Sequence, residues 1–391
     1  MKRLLFTFGI AFTVFLQAEA QQPPPIRGLT GVDELSRAYD TILDARFERV
    51  PVMLQQACGP APGEACQLLD AVNTWWRIQL DPLSTTHDVE FESKIESAIA
   101  STRAWTTREP LRAEAWFYLG GAYGARAQWW VLRGRRLAAA RDGRRIKEAL
   151  ERALALDPGM ADAYLGLGLY QYYADVAPTA LKMVRWIMLL PGGDRSAGME
   201  QMLRARDTGR LVRSEVDYQL HIIDVWYEKQ PARAVELLGR LRSRHPHNPH
   251  FSQAMADIQD FYLDDTAASL RTWTTLLEAA ERGQVAESSL AQANARLGIA
   301  SQLDQLSRGE AALEHLHAVI DARPSAPFAI VARAQLQLGQ TLEHLGRHAE
   351  ATAAYRAAIA AAGRNDPLEI ATRARTSLRA IERSSRSTTT Q

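Results

Sequence analysis

The chain of 391 residues has only two cysteines and no charge excess, 46 Lys and Arg standing against 45 Asp and Glu. A neutral balance gives no electrostatic reason to expect nucleic acid or an anionic membrane as partner. No stretch beyond the first twenty residues is long and apolar enough for a transmembrane helix. Valine and isoleucine are sparse and period-two alternation is missing, which excludes a sheet-based fold. Catalytic signatures are missing too. There is no phosphate-binding loop, no His-Glu-x-x-His and no Gly-x-Ser-x-Gly, the nearest run being Asp194-Arg-Ser196-Ala-Gly198. No paired carboxylates stand out, so the expectation is a non-enzyme without cofactor or metal.

What is present begins at the N-terminus. Met1-Lys2-Arg3, an apolar core from Leu4 to Leu16 and Ala18-Glu19-Ala20 describe a cleavable secretory signal over residues 1–20. An uncleaved anchor is the alternative; no cysteine follows the core to carry a lipid. Cleavage after Ala20 leaves 371 residues with 44 basic and 44 acidic side chains. Export to the periplasm or beyond gives the cysteines a meaning. Cys58 and Cys66 flank a turn-rich loop and are expected to form a disulfide in an oxidising compartment. Free thiols are the alternative, but there is no Cys-x-x-Cys and no nearby histidine.

Residues 21–30 read as a flexible leader and 384–391 as a disordered tail. Nearly everything between reads as helix, because apolar residues recur at three and four. Xaa-Pro steps at Asp81-Pro82, Glu109-Pro110, Asp157-Pro158, His245-Pro246, Arg323-Pro324 and Asp366-Pro367 punctuate the pattern.

One stretch fixes the period. Gln335, Leu338, Gly339, Leu342, Gly346, Ala351, Tyr355 and Ala358 alternate large and small residues at the offsets of a helix–turn–helix. This resembles the tetratricopeptide repeat (TPR), a hairpin of two helices that stacks into a right-handed solenoid. Weaker copies begin at Trp116–Leu119–Gly120, Tyr164–Leu167–Gly168, Tyr218 and Asn294–Leu297–Gly298, with another around Trp273. Gly120, Gly168, Gly298 and Gly339 on first helices, and Ala153, Ala205, Ala234, Ala351 and Ala358 on second helices, let helix axes approach. The resemblance implies an all-α, TPR-like solenoid of antiparallel hairpins over 111–365, preceded by a disulfide-clipped helical cap at 31–110 and closed by a helix at 366–383. Two hairpins in the first half are extended. In the first, Trp116 to Leu137 keep one helical face for seven turns; the second holds the apolar stretch Ala180 to Leu190. Residues 164–206 also show a faint similarity to a TPR-like mitochondrial outer-membrane family.

The resemblance places ligands in a concave groove of first helices. Its stripe falls on Phe117, Leu165, Leu169, Tyr172, Tyr173, Ile223, Trp226, Tyr227, Arg333, Gln340, Glu343 and His344. The aromatics among these either line the groove or pack beneath the long hairpins. Arg126, Trp129, Trp130, Arg133 and Arg136 form a basic, aromatic patch that either grips an acidic group or solvates a helix. His245-Pro-His247-Asn-Pro-His250 is too stiff and too poor in acids to suggest a metal, and Asp194 is expected to cap a helix. The functional reading is a protein- or peptide-binding scaffold of the periplasm or envelope. The alternative is a small-molecule or glycan binder whose pocket is lined by Trp129, Trp130, Tyr172 and Tyr173.

Overall fold

The computed structural model describes residues 24–176, 192–364 and 366–389. The segment 1–20, expected as a secretory signal, and the apolar stretch Ala180–Leu190 lie outside the described residues. Those described contain seventeen α-helices, one 3-10 turn and no strand. Helix α1 (Val32–Leu43), the 3-10 turn (Phe47–Arg49) and α2 (Val50–Ala57) come first. Seven antiparallel hairpins follow. The first two are α3 (Gly63–Leu80) with α4 (Asp88–Arg108), and α5 (Ala113–Leu132) with α6 (Arg136–Leu156). Next come α7 (Ala163–Val176) with α8 (Arg195–Thr208), and α9 (Arg213–Trp226) with α10 (Pro231–Arg244). The last three are α11 (Pro249–Phe261) with α12 (Thr266–Glu281), α13 (Ser288–Gln305) with α14 (Gly309–Ala322), and α15 (Ile330–His344) with α16 (His348–Ala361). Helix α17 (Ile370–Thr389) closes the stack. Each helix packs on the next, giving an all-α, TPR-like solenoid.

Proline and a left-handed residue set the two kinds of turn. Asp81, Glu109, Asp157 and His245 each end a helix in one conformation, φ −142 to −127 and ψ 66 to 89, ahead of their proline. Within five of the hairpins the turn residue is left-handed: Gly134, Lys229, Asp264, Ser307 and Gly346, φ 53 to 73. The next N–H donates back to a carbonyl five or six residues earlier, from Arg135 to Trp130 at 2.7 Å and from Arg347 to Leu342 at 2.8 Å. That is the helix-ending bond a left-handed residue permits. Gly134 therefore breaks the face that the sequence carries from Trp116 to Leu137. The extra residues lengthen both α5 and α6 instead of continuing one helix.

The small residues sit where helices touch. A Cβ on Gly168 would lie 2.6 Å from the Gly198 carbonyl, and one on Gly339 2.6 Å from Tyr355, across their own hairpins. Gly298 departs from expectation: its neighbour is Trp273 of the preceding hairpin, at 2.4 Å. Aligned on its left-handed turn, that copy is shifted by two residues, and Ala300, fully buried, takes the place of Gly339.

Both ends also differ from expectation. The leader is held along 26–30. Ile26 exchanges backbone hydrogen bonds with Leu111 and Ala113, Gly28 N–H donates to Asp157, and Thr30 donates to Glu114 through N–H and hydroxyl. At the other end α17 continues to Thr389, through residues expected as a disordered tail.

The first helices of successive hairpins touch, α5 with α7, α11 with α13 and α13 with α15, and form the inner layer. In the first half this layer closes on itself. Trp76 of α3 is fully buried, its ring 4.9 Å from Tyr218 of α9 and 5.8 Å from Phe251 of α11. Gln79 donates to the Tyr218 hydroxyl at 2.9 Å, Tyr39 of α1 to Glu215 at 2.8 Å, and Gln219 to Gln128 of α5 at 3.1 Å. Phe328 N–H reaches Asp81 at 2.9 Å from 247 residues away. Helices α1 and α3 thus fill the inside of the curve. The disulfide Cys58–Cys66 fastens α2 to the start of α3.

Candidate binding surface

The filled interior corrects much of the expected groove. Phe117, Leu165, Tyr172 and Ile223 are buried in the core and present nothing to a ligand. Leu169 and Tyr173 are half-buried. Tyr172, Tyr173 and Tyr227 form a cluster of edge-on rings, with centroids 5.5 to 5.9 Å apart. The Tyr172 hydroxyl donates to Glu228, and Arg195 Nε donates to the same carboxylate at 2.9 Å. That guanidinium holds the Glu228 carboxyl below its ordinary range. At the far end, Arg333 Nη1 lies 3.5 Å from Asn294, Glu343 accepts from the Tyr355 hydroxyl at 2.7 Å, and His344 meets Asp304 at 2.9 Å. Arg333 and His344 therefore tie neighbouring hairpins together, and Glu343 joins the two helices of its own hairpin; Gln340 is half-buried.

Two residues of the expected stripe do face solvent. Trp226 is 61% exposed and Tyr227 42%. They end α9, just before the left-handed Lys229. One hairpin on, Phe261, Tyr262 and Leu263 end α11 before the left-handed Asp264 and are 75%, 41% and 38% exposed. Leu306 precedes Ser307 in the same way and is 41% exposed. The described residues have twelve exposed large apolar side chains, and these six are half of them. They are neighbours in space. Trp226 and Tyr262 stand edge to face at 5.9 Å, while Asp260, beside Phe261, accepts from Gln302 at 3.0 Å and Gln305 at 3.4 Å. Together they make an apolar lip along the hairpin turns of α9, α11 and α13.

The sequence reading missed Phe261, Tyr262, Leu263 and Leu306. Counting back from the turn residue finds them, since Trp226 and Phe261 both stand three before a left-handed position. Weak small-residue spacing at 251–277 hid that register.

The basic patch dissolves. Arg126 is 8% exposed and grips Asp142 with two bonds of 2.8 Å; its second partner is Glu96. Arg133 holds Asp88 with two bonds of 2.6 Å and the carbonyls of Pro82 and Ser84. Trp129 is buried against Phe91, and Trp130 carries Arg135 at 4.8 Å. Arg136 alone of the five is exposed. Two charged side chains of the patch are thus braces joining α4, α5 and α6. The four aromatics of the pocket alternative are likewise spent on packing, at two separate places.

The histidines of the 245–250 loop diverge. His245 meets Ser214 at 3.0 Å, His247 meets Asp44 at 2.9 Å and His250 meets the Tyr218 hydroxyl at 3.2 Å. Burial pushes His245 and His250 down to about 4, and His221 beside them to about 3. Burial raises two carboxyls, Asp224 and Asp257, to about 6. Among the described residues no group of three side chains is placed to hold a metal. Asp194 caps α8 as expected, accepting from Ala197 N–H at 2.9 Å.

No protein-family model matches the chain, and no curated protein matches it. Solved structures resembling it include yeast Tom70 (TM-score 0.42, 13% identity, covering 83% of this chain and 65% of that one). The hetero-tetramer Cut9–Hcn1 of the APC/C gives 0.47 at 11% identity, covering 88% and 56%. A Rap protein complexed with competence and sporulation factor gives 0.44 at 12%, covering 90% and 98%. The chain spans under two thirds of the length of the first two. Its TPR-like character rests on its own hairpins and turns.

Proposed function

We propose that the protein is a non-catalytic scaffold that binds another protein or a peptide, and that it works in the periplasm or cell envelope. The observation that carries the reading is the apolar lip of Trp226, Phe261, Tyr262 and Leu306, four large exposed side chains where the first helices of three successive hairpins end. Exposed aromatics gathered in one strip mark interaction surfaces. Binding moves from the groove floor to its edge, because the floor is occupied by α1 and α3. Export is supported by the signal pattern of residues 1–20 and agrees with the Cys58–Cys66 bond.

A photo-crosslinking amino acid at Phe261, with a control at exposed Arg144 on α6, tests the site in the native envelope. The expected outcome is a discrete protein adduct at 261 and none at 144. No adduct, or adducts only to lipid or sugar, would overturn the reading. An N-terminus at Gln21 on the recovered protein, together with release by osmotic shock, checks the location.

A further inference from the structure

The lip has a charge as well as a shape. Asp260, Asp264 and Asp265 surround Phe261 and Tyr262 within one turn; of the bases beside the lip, Lys229 directs its ammonium to the Trp226 carbonyl at 3.2 Å, and Arg308 follows Leu306 by two residues. Around this turn the sequence is acidic: residues 245–370 hold 9 Lys and Arg against 15 Asp and Glu, whereas 113–244 hold 21 against 15. All three aspartates are already fixed, Asp260 by the amides of Gln302 and Gln305. Asp265 caps α12 by accepting from Ala268 N–H at 2.8 Å, and Asp264 is locked in the left-handed turn at φ 53. Carboxylates held at the margin of an apolar strip select against anionic partners and for cationic ones.

Resting on the scaffold reading, we infer that the occupant of the lip is a protein segment that pairs aromatic or aliphatic side chains with lysine or arginine. Its apolar side chains lie across Trp226, Phe261 and Leu306, and its cations meet Asp264 and Asp265. An anionic bilayer is disfavoured by the same charges. A second copy of this chain would have to bring exposed Val131 and Leu137, beside Arg135 and Arg136, onto the lip, and the dimerisation outcome of the test reads that pairing.

The test uses the mature full-length protein. Peptides of fifteen random residues are displayed and selected on it, and the best is synthesised. Enrichment of aromatic and leucine residues together with at least two Lys or Arg is expected. Phe261→Ala, at a 75% exposed position that the fold does not need, should weaken that peptide about thirty-fold. The pair Asp264→Asn and Asp265→Asn keeps both the left-handed turn and the cap while removing two charges. It should weaken binding about fivefold at low salt and flatten the salt dependence. Loss with Phe261→Ala but no change with the asparagine pair overturns the charge inference and leaves the scaffold reading standing. No loss with Phe261→Ala overturns both. Binding to phosphatidylglycerol vesicles with no peptide enriched, or dimerisation abolished by Phe261→Ala, also overturns the inference.

Discussion

The two halves of the solenoid solve the same packing problem differently. From α1 to α11 the inner layer is aromatic, with Trp76, Tyr218 and Phe251 meeting across the curve, and distant helices become neighbours. From α12 to α17 the core is built largely from alanine and leucine: Ala291, Ala295, Ala300, Ala312, Ala334, Ala351 and Ala358 are all fully buried. Slim side chains let hairpins nest on their immediate neighbours, and this half reaches across the groove through a backbone group, Phe328 N–H to Asp81, and not through a ring. Bulky rings need a partner on the opposite wall, and when they find one the groove disappears. An aromatic inner stripe in such a repeat therefore signals closure as readily as a ligand.

The largest blow to this contrast is Trp76→Ala. Emptying that site should cost about 3–5 kcal/mol, and hydrogen exchange should quicken in α9 and α11 but not in α15 and α16. Equal quickening throughout would mean that the halves unfold as one unit.

The next test is acid. His221, His245 and His250 all lie in the first half and are held neutral by burial, so unfolding binds protons below pH 6.5 and stability falls as pH drops toward 4. Asp224 and Asp257, raised to about 6, act in the opposite sense, and a bulk pH curve mixes the two. His250→Gln isolates the histidine. The advantage of wild type over this variant in guanidinium unfolding should shrink by about 3 kcal/mol from pH 7 to pH 4. A constant advantage would refute the neutral buried imidazole.

Removing the disulfide by Cys58→Ser and Cys66→Ser should lower stability by about 2–3 kcal/mol, with the faster exchange confined to α1–α4. Smallest is Ser307→Gly in the second half. Relieving a left-handed serine should raise stability by about 0.5–1 kcal/mol, read as a higher midpoint with unchanged denaturant slope.

The hairpins were legible because their signals are local. Asp81, Glu109, Asp157 and His245 end helices where the following proline requires it, and Gly168 and Gly339 stand where helix axes come close. The Cys58–Cys66 bond was legible from its loop and the expected compartment. What stayed hidden depends on residues far apart in the chain. Nothing within ten residues of Trp76 announces Tyr218, and nothing near Arg126 announces that Asp142 and Glu96 will neutralise it. The groove stripe took in the exposed Trp226 and Tyr227 but could not tell an exposed residue from a buried one such as Tyr172, since both are aromatic at helical spacing. Phe261 was lost to a register that only its turn residue reveals.

The joining of α3 to α11 also bears on how the chain is made. A ribosome or a narrow membrane pore delivers the N-terminal end first, so Trp76 emerges well before residues 218–251 exist to cover it. The alanine-rich hairpins can zip up one after another as they appear, while the opening helices must wait with their rings bare. A holding chaperone during delivery is the natural companion of such a chain, and its demand should fall when the opening helices are supplied as a separate fragment after the rest has folded.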